Sequence, residues 1–292
     1  MTQIGYCWLL LVDGQAFPGH DDQKHGMART LSENGFGKPG RSGLFGCMVG
    51  SHSLVHEIGG EDDTNANTTR RVLLLLESFA IGDPQPYERV RSQILNRYIG
   101  DDRGLTHRSR ALNVPRFLLN DFTRYWRTVT VDFVYKQRTD ADAKWALRNA
   151  KLRMSRKLAF ASGLLRCFYC HFDAETALTE EPGPARVTTL LSYLKDQFNQ
   201  TPLQVLARAA SRPQVLRETA RTLFDTYDSF LAILDNETKR TELKELRPDQ
   251  LSSSSTWTEI STISSDFHAA LIELFFGSDT DLRMLSTTYG LF

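Results

Sequence analysis

Apolar and polar positions follow two different patterns along the chain, and the change comes near residue 64. Residues 8–12 form a short, wholly apolar run that Asp13 and Gly14 close, which predicts a buried strand ending in a turn. A helix is predicted over residues 21–33 and a second strand over residues 44–49. We therefore expect a small α/β portion at the start of the chain.

From residue 64 onward the pattern is helical. Pro84 and Pro86 predict the start of a helix that ends near Gly100, and Pro115 introduces a long helix over residues 116–136. Further helices are predicted at residues 68–79, 143–165, 187–198, 202–210, 213–236, 257–276 and 279–286. The predicted fold class is mainly α with a small α/β N-terminal portion. Residues 1–64 would form that portion, and residues 65–292 a helical bundle domain.

Composition and charge disfavour two classes of protein, those that coat nucleic acid and those that span a membrane. Lys and Arg together number 35, the same as Asp and Glu, so the chain lacks the basic excess of a protein that coats nucleic acid. No run reaches the roughly 18 apolar residues that span a bilayer, which predicts no membrane partner. The N-terminal residues do not read as a signal peptide, so we expect a cytoplasmic protein whose four cysteines are reduced.

A Cys-x-x-Cys-His sequence at residues 167–171 has the spacing of a c-type haem attachment site. Haem attachment, zinc binding and partly buried thiols on a helix are the three interpretations. The surrounding apolar helical pattern favours buried thiols. Zinc binding is disfavoured because the remaining cysteines lie far away in the sequence, and haem attachment is disfavoured because no export signal is evident.

A polar stripe runs along the otherwise apolar helix predicted at residues 116–136. Asp121, Arg124, Thr128 and Asp132 recur at spacings that place them on one helix face. Charged groups on so apolar a helix must be paired and hydrogen-bonded, or must face a cleft. Asp121 and Arg124 are therefore candidate binding residues.

The next predicted helix carries a basic segment with six positive charges and no acid between residues 144 and 157. These residues are Lys144, Arg148, Lys151, Arg153, Arg156 and Lys157. Three roles are open: ion pairs with Asp121 and Asp132, contacts to a nucleotide triphosphate, or a weak RNA-facing patch. The candidate phosphate contacts are Arg148, Lys151, Arg156 and Lys157.

A Gly-Gly turn followed by acids precedes the first helix of the bundle. Glu61, Asp62 and Asp63 could bind a divalent cation through their carboxylates. The commoner role is capping, in which Asp62, Asp63 and Asn65 would supply the N-cap and first turn of that helix.

Five stretches together resemble a known family. They are Leu10-Leu11-Val12-Asp13-Gly14-Gln15-Ala16, Ile58 to Asn65, TRRVLLLLES at 69–78, VPRFLLNDFTRY at 114–125 and WALRNAKLRMSRKLAFASGLL at 145–165. The chain is similar in these stretches to bacterial nucleotidyltransferase-like proteins of the DNA polymerase beta-type superfamily. The resemblance extends from about residue 9 to the C-terminus, and implies transfer of a nucleoside monophosphate from an NTP to an unknown acceptor with Mg²⁺.

In that family a Gly-Ser loop and an Asp-x-Asp pair precede the Val-Asp-Gly sequence. The two aspartate positions fall on Gly5 and Cys7 here, and the loop would lie before Met1. We therefore expect a shortened member with an incomplete catalytic half, and no residue is assigned as catalytic or as a metal ligand. The alternative is a non-catalytic helical interaction or nucleotide-sensing module. Hydrophobic surface left uncovered would then favour self-association.

Overall fold

The computed structural model describes residues 8–14, 19–35, 44–106, 113–139, 144–173 and 183–290. Two short strands, β1 (Leu9–Val12) and β2 (Cys47–Gly50), pair in parallel with Leu9 opposite Cys47 and Val12 opposite Gly50. The helix α1 (Gly19–Glu33) connects them along the chain, as expected for a parallel crossover. A mainly α fold with a small α/β N-terminal portion is thus confirmed.

Most of the described residues after β2 lie in helices. Their bounds are α2 (Ser51–Val55), α3 (Asn65–Leu76), α4 (Pro84–Gly100), α5 (Arg103–Thr106), α6 (Arg116–Thr139), α7 (Trp145–Lys151), α8 (Lys157–Phe172), α9 (Pro184–Asn199), α10 (Pro202–Ala210), α11 (Arg217–Asp235), α12 (Glu237–Glu245), α13 (Ser255–Phe276) and α14 (Thr280–Leu285). A 3-10 turn, Pro248–Ser253, precedes α13.

One π-helical turn, Leu152–Arg156, joins α7 to α8 without a break. A second, Ser286–Gly290, follows α14. In such a turn the backbone hydrogen bond spans five residues rather than four, and π turns are frequent at functional sites.

The core is built around α8, whose residues from Leu158 to Cys170 are almost all buried. Helices α6, α9 and α10 pack against it, and α11 packs along α13. At the contact with α6 a glycine is required, because a Cβ on Gly163 would lie 2.9 Å from the ring of Phe122. No helix in the described part of the chain is both long and apolar enough to cross a bilayer.

Local sequence signals account for several helix starts. Thr201 caps α10 through a capping box with Gln204, while Thr64 and Ser254 cap α3 and α13 with their hydroxyl oxygens. Asp83 caps α4, whose first residue is Pro84, as the prolines predicted. The helices α2, α5 and α12 were not predicted.

Candidate functional site

A buried polar cluster, here called the Arg71 cluster, joins α3, α4, α6 and the turn before α3. It consists of Asp63, Arg71, Tyr98, Asp121 and Arg124. The Arg71 guanidinium is fully buried and donates to both carboxylate oxygens of Asp63 at 2.8 Å, and to Oδ2 of Asp121 at 2.8 Å. Its Nε donates to the Tyr98 hydroxyl at 3.0 Å, and that hydroxyl donates to Asp121.

Asp63 is the second residue of this cluster that makes several contacts. Burial by itself raises the pKa of Asp63, but hydrogen bonds from Arg71 and the Gly59 amide, together with the charges of Arg71 and Arg124, hold that pKa below its usual 3.8. Arg124 donates to Oδ2 of Asp63 at 3.2 Å and also to its backbone carbonyl. The carboxylate is therefore ionised and committed to two arginines.

These contacts settle two expectations from the sequence. The polar stripe of α6 is paired, as predicted, since Asp121 binds Arg71, Arg124 binds Asp63 and Asp132 binds Lys136 at 2.6 Å. Of the three roles left open for the basic segment at residues 144–157, ion pairs with Asp121 and Asp132 are not formed among the described residues. Asp121 takes its cation from α3, which packs directly against α6, and Asp132 takes its cation from Lys136 of α6 itself.

The acidic turn at residues 59–65 agrees with the predicted capping role only in part, because Asn65 begins α3 but neither Asp62 nor Asp63 is its N-cap. Thr64 is the N-cap of α3, accepting a hydrogen bond from the Asn67 amide at 3.1 Å. Asp63 is neither a cap nor an open cation ligand, because it belongs to the Arg71 cluster. Sequence reasoning missed Arg71 because its partners lie 8, 27 and 50 residues away along the chain.

The basic segment separates into different environments. Arg156 donates from Nη1 to Oε2 of Glu77 at 2.9 Å, next to the end of α3. Arg148 and Lys151 lie on α7, where Arg148 is half-buried and Lys151 exposed. The six candidate binding residues therefore do not form one site: Asp121 and Arg124 belong to the Arg71 cluster, while the other four follow the helix from α7 into α8.

Lys157 belongs to a second group of side chains, here called the cation cluster: Arg153, Lys157 and His268 together with Ser264. Arg153 Nη1 donates to the Ser264 hydroxyl at 3.1 Å, which ties the π turn to α13. Burial, and then the charge of Arg153, lowers the pKa of Lys157. Burial, and then the charges of Lys157 and Arg153, lowers the pKa of His268.

The ionisable side chains of the cation cluster are all basic. Within the described ranges, no carboxylate forms a salt bridge with Arg153 or Lys157, and none contributes to the pKa shifts of Lys157 and His268. Two positive charges are thus brought together in a half-buried position without a compensating acid. Such an arrangement costs free energy in the free protein, and an anion would relieve it.

The two cysteines of the Cys-x-x-Cys-His sequence are buried in α8, in line with the interpretation as thiols on a helix. Burial raises the pKa of Cys167 and of Cys170. Burial also lowers the pKa of His171, whose Nδ1 has no hydrogen-bond partner among the residues that the structure describes. Over the residues that the structure describes, no group of three His, Cys, Asp or Glu side chains is placed to hold a metal ion.

The end of β1 carries the Val-Asp-Gly sequence of the family resemblance. Asp13 pairs with Arg89 of α4, and this hydrogen bond, together with one from Ser51, lowers its pKa despite partial burial. Gly5 and Cys7, which align with the metal-binding aspartates of that family, lie outside the described residues.

Compared with family models, with curated proteins and with solved structures, the chain gives no significant match.

Proposed function

We propose that this protein binds a nucleoside triphosphate and that the cation cluster contacts its phosphates. The observation that carries the proposal is the half-buried Lys157 beside Arg153, with no carboxylate partner for either among the described residues. Arg forks and Lys ammonium groups are the side chains best suited to phosphate oxygens. Ser264 adds a hydroxyl within hydrogen-bond distance of Arg153.

Arg148 and Lys151 are proposed as secondary contacts, because they precede Arg153 on the same continuous helix. Arg156 is not proposed as a phosphate contact, since it is paired with Glu77. Asp121 and Arg124 are not proposed as ligand contacts, since both are engaged in the Arg71 cluster. Their role is to fix α6 against α3, and through that contact to hold α8 in place.

Membership of the nucleotidyltransferase superfamily is part of this proposal and rests on the sequence resemblance. The parallel β1–β2 pair with Asp13 at its end is compatible with it. The described carboxylates do not fit a Mg²⁺ site: Asp63 is committed to two arginines, and no cluster of ligands is present in those ranges. These carboxylates are therefore assigned no role in a transfer step, and Mg²⁺ would accompany the NTP on its phosphates.

The second candidate is a non-catalytic nucleotide-sensing or helical interaction module. It is favoured because the Asp63 carboxylate is paired with two arginines and is not open to a metal ion. In that role nucleotide binding at the cation cluster would change how the protein engages a protein or small-molecule partner. Release of pyrophosphate from an NTP by the purified chain, with Mg²⁺ present, would favour the transferase instead.

The test is calorimetric titration of the purified chain with ATP, GTP and inorganic tripolyphosphate, with and without Mg²⁺. We expect all three to bind and Lys157→Gln to weaken each by about tenfold or more, because a hydrogen bond to a charged group contributes about 1.5–3 kcal/mol. The matched control is Lys195→Gln, which removes the same charge from an exposed position on α9. Absence of binding, or equal weakening by both variants, would overturn the proposal.

A further inference from the structure

The continuous helix formed by α7, the π turn and α8 also borders a cavity of about 400 Å³. The cavity lies where the end of α3, the π turn, the α9–α10 connection and α11 meet. Its volume falls within the usual range for small-molecule sites. The side chains that matter for its chemistry are Glu77, Phe79, Ser155, Phe198, Asn199 and Tyr227. Ser155 belongs to the π turn, so this unusual backbone forms part of the cavity wall.

Glu77 provides an unused hydrogen-bond acceptor in the cavity. Its Oε2 accepts from Arg156, whereas no described residue donates to its Oε1. The side chain remains about one third exposed, at 32%. Arg156 is ion-paired with this carboxylate through Oε2, so Oε1 is available to a ligand that carries N–H donors.

Asn199 provides a donor in the same cavity. Both Nη atoms of Arg91 donate to its Oδ1 at 3.4 Å, which identifies the oxygen of the amide and leaves the Nδ2 group without a partner among the described residues. Glu77 and Asn199 thus supply an acceptor and a donor at different points of the cavity wall.

The rest of the lining favours a flat, largely apolar ring. Phe198 and Tyr227 are buried in the wall, and Phe79 projects from the loop after α3 with 69% of its surface exposed. Leu76, Leu158 and Leu203 complete the apolar surface. Aromatic rings stack on planar heterocycles, and an exposed phenylalanine at the cavity edge gains buried area when it covers such a ring.

We propose that this cavity binds a purine base of the guanine type. Its ring N–H and exocyclic amino group would donate to the Glu77 carboxylate, and its carbonyl oxygen would accept from Asn199 Nδ2. Adenine fits less well, because a ring nitrogen with a lone pair would then face the carboxylate. This site goes beyond the phosphate-binding cation cluster and does not depend on it, since a nucleoside without phosphate suffices to fill the cavity.

The experiment is titration of the purified chain with guanosine, inosine and adenosine, followed by calorimetry or ligand-observed NMR. Inosine is guanosine without the exocyclic amino group, so it tests the hydrogen bond from that amino group to Glu77 and leaves the other contacts in place. We expect guanosine to bind at least about tenfold more tightly than inosine or adenosine, the discrimination typical of losing one charge-assisted hydrogen bond.

Two variants test the assignment. Glu77→Gln should weaken guanosine at least about tenfold, whereas Glu245→Gln, an exposed glutamate on α12, should leave its affinity unchanged. Phe79→Ala removes only an exposed ring, so it cannot fail to fold for lack of a core residue, and it should weaken guanosine several-fold.

The proposal is overturned if guanosine does not bind at millimolar concentration, if inosine binds equally well, or if Glu77→Gln and Glu245→Gln behave alike. Failure here is distinguishable from failure at the cation cluster, because tripolyphosphate carries no base and guanosine carries no phosphate.

Discussion

Replacing Arg71 by methionine tests whether the buried cluster holds the bundle together. The side chain is fully buried and makes four short hydrogen bonds, two to Asp63, one to Asp121 and one to Tyr98. In the variant Asp63 keeps the Gly59 amide and Arg124, whereas Asp121 keeps, among the described side chains, the Tyr98 hydroxyl alone. A buried carboxylate would thus lose its cation.

Breaking a buried ion pair by removing one partner costs about 3–5 kcal/mol. At about 2–4 °C per kcal/mol for a large domain, Arg71→Met should lower Tm by about 6–20 °C. The control is Arg97→Met, which removes an exposed pair with Asp101 and should cost less than about 1 kcal/mol.

Urea unfolding followed by circular dichroism measures both free energies of unfolding. A value for Arg71→Met as small as that for Arg97→Met would refute the reasoning. The pH dependence gives a second check. Because the folded pKa of Asp63 is lowered, its contribution is complete above its usual value of 3.8 and is lost as the pH falls through the folded pKa. The difference between wild type and Arg71→Met should therefore shrink in that acidic range.

Three further outcomes are expected. Lys157→Gln should raise Tm at neutral pH while weakening phosphate binding; since the folded pKa of Lys157 is lowered, wild-type stability should also rise as the pH increases through that pKa. Gly163→Ala should lower the free energy of unfolding by about 1–3 kcal/mol, because its Cβ would overlap the Phe122 ring. In native protein Cys167 and Cys170 should resist alkylation by iodoacetamide, as mapped by mass spectrometry, and react only after unfolding.

Local signals in the sequence predict much of the helical framework. The helix from Pro84 to Gly100 and the helix at 202–210 agree with the structure at both ends, because proline at the first position and a good cap act within one turn. The helix α12 was missed because its residues are nearly all polar and only Leu243 is buried, so no apolar stripe marks it.

The π turn was also invisible to periodicity, since the predicted helix simply continues through it. Side-chain partners were the least predictable part. The polar stripe of α6 indicated that Asp121 needs a cation. The basic segment is closer to Asp121 along the sequence, but the packing of α3 on α6 brings Arg71 into contact with it instead. Spacing along a helix identifies a face, whereas the choice of partner depends on contacts between distant segments.

The π turn also bears on how the length of this chain can vary. A π turn holds one residue more than the α-helical turn it replaces, so deleting one residue from Leu152–Arg156 would restore ordinary α-helical bonding and leave α8 in nearly the same rotation relative to α7. The buried positions from Leu158 to Cys170 would then keep their neighbours, whereas a deletion within α8 itself would rotate every later position by about 100°. Deleting a residue between Arg153 and Lys157 would bring these two cations one position closer along the helix, so the extra residue of the π turn sets their spacing.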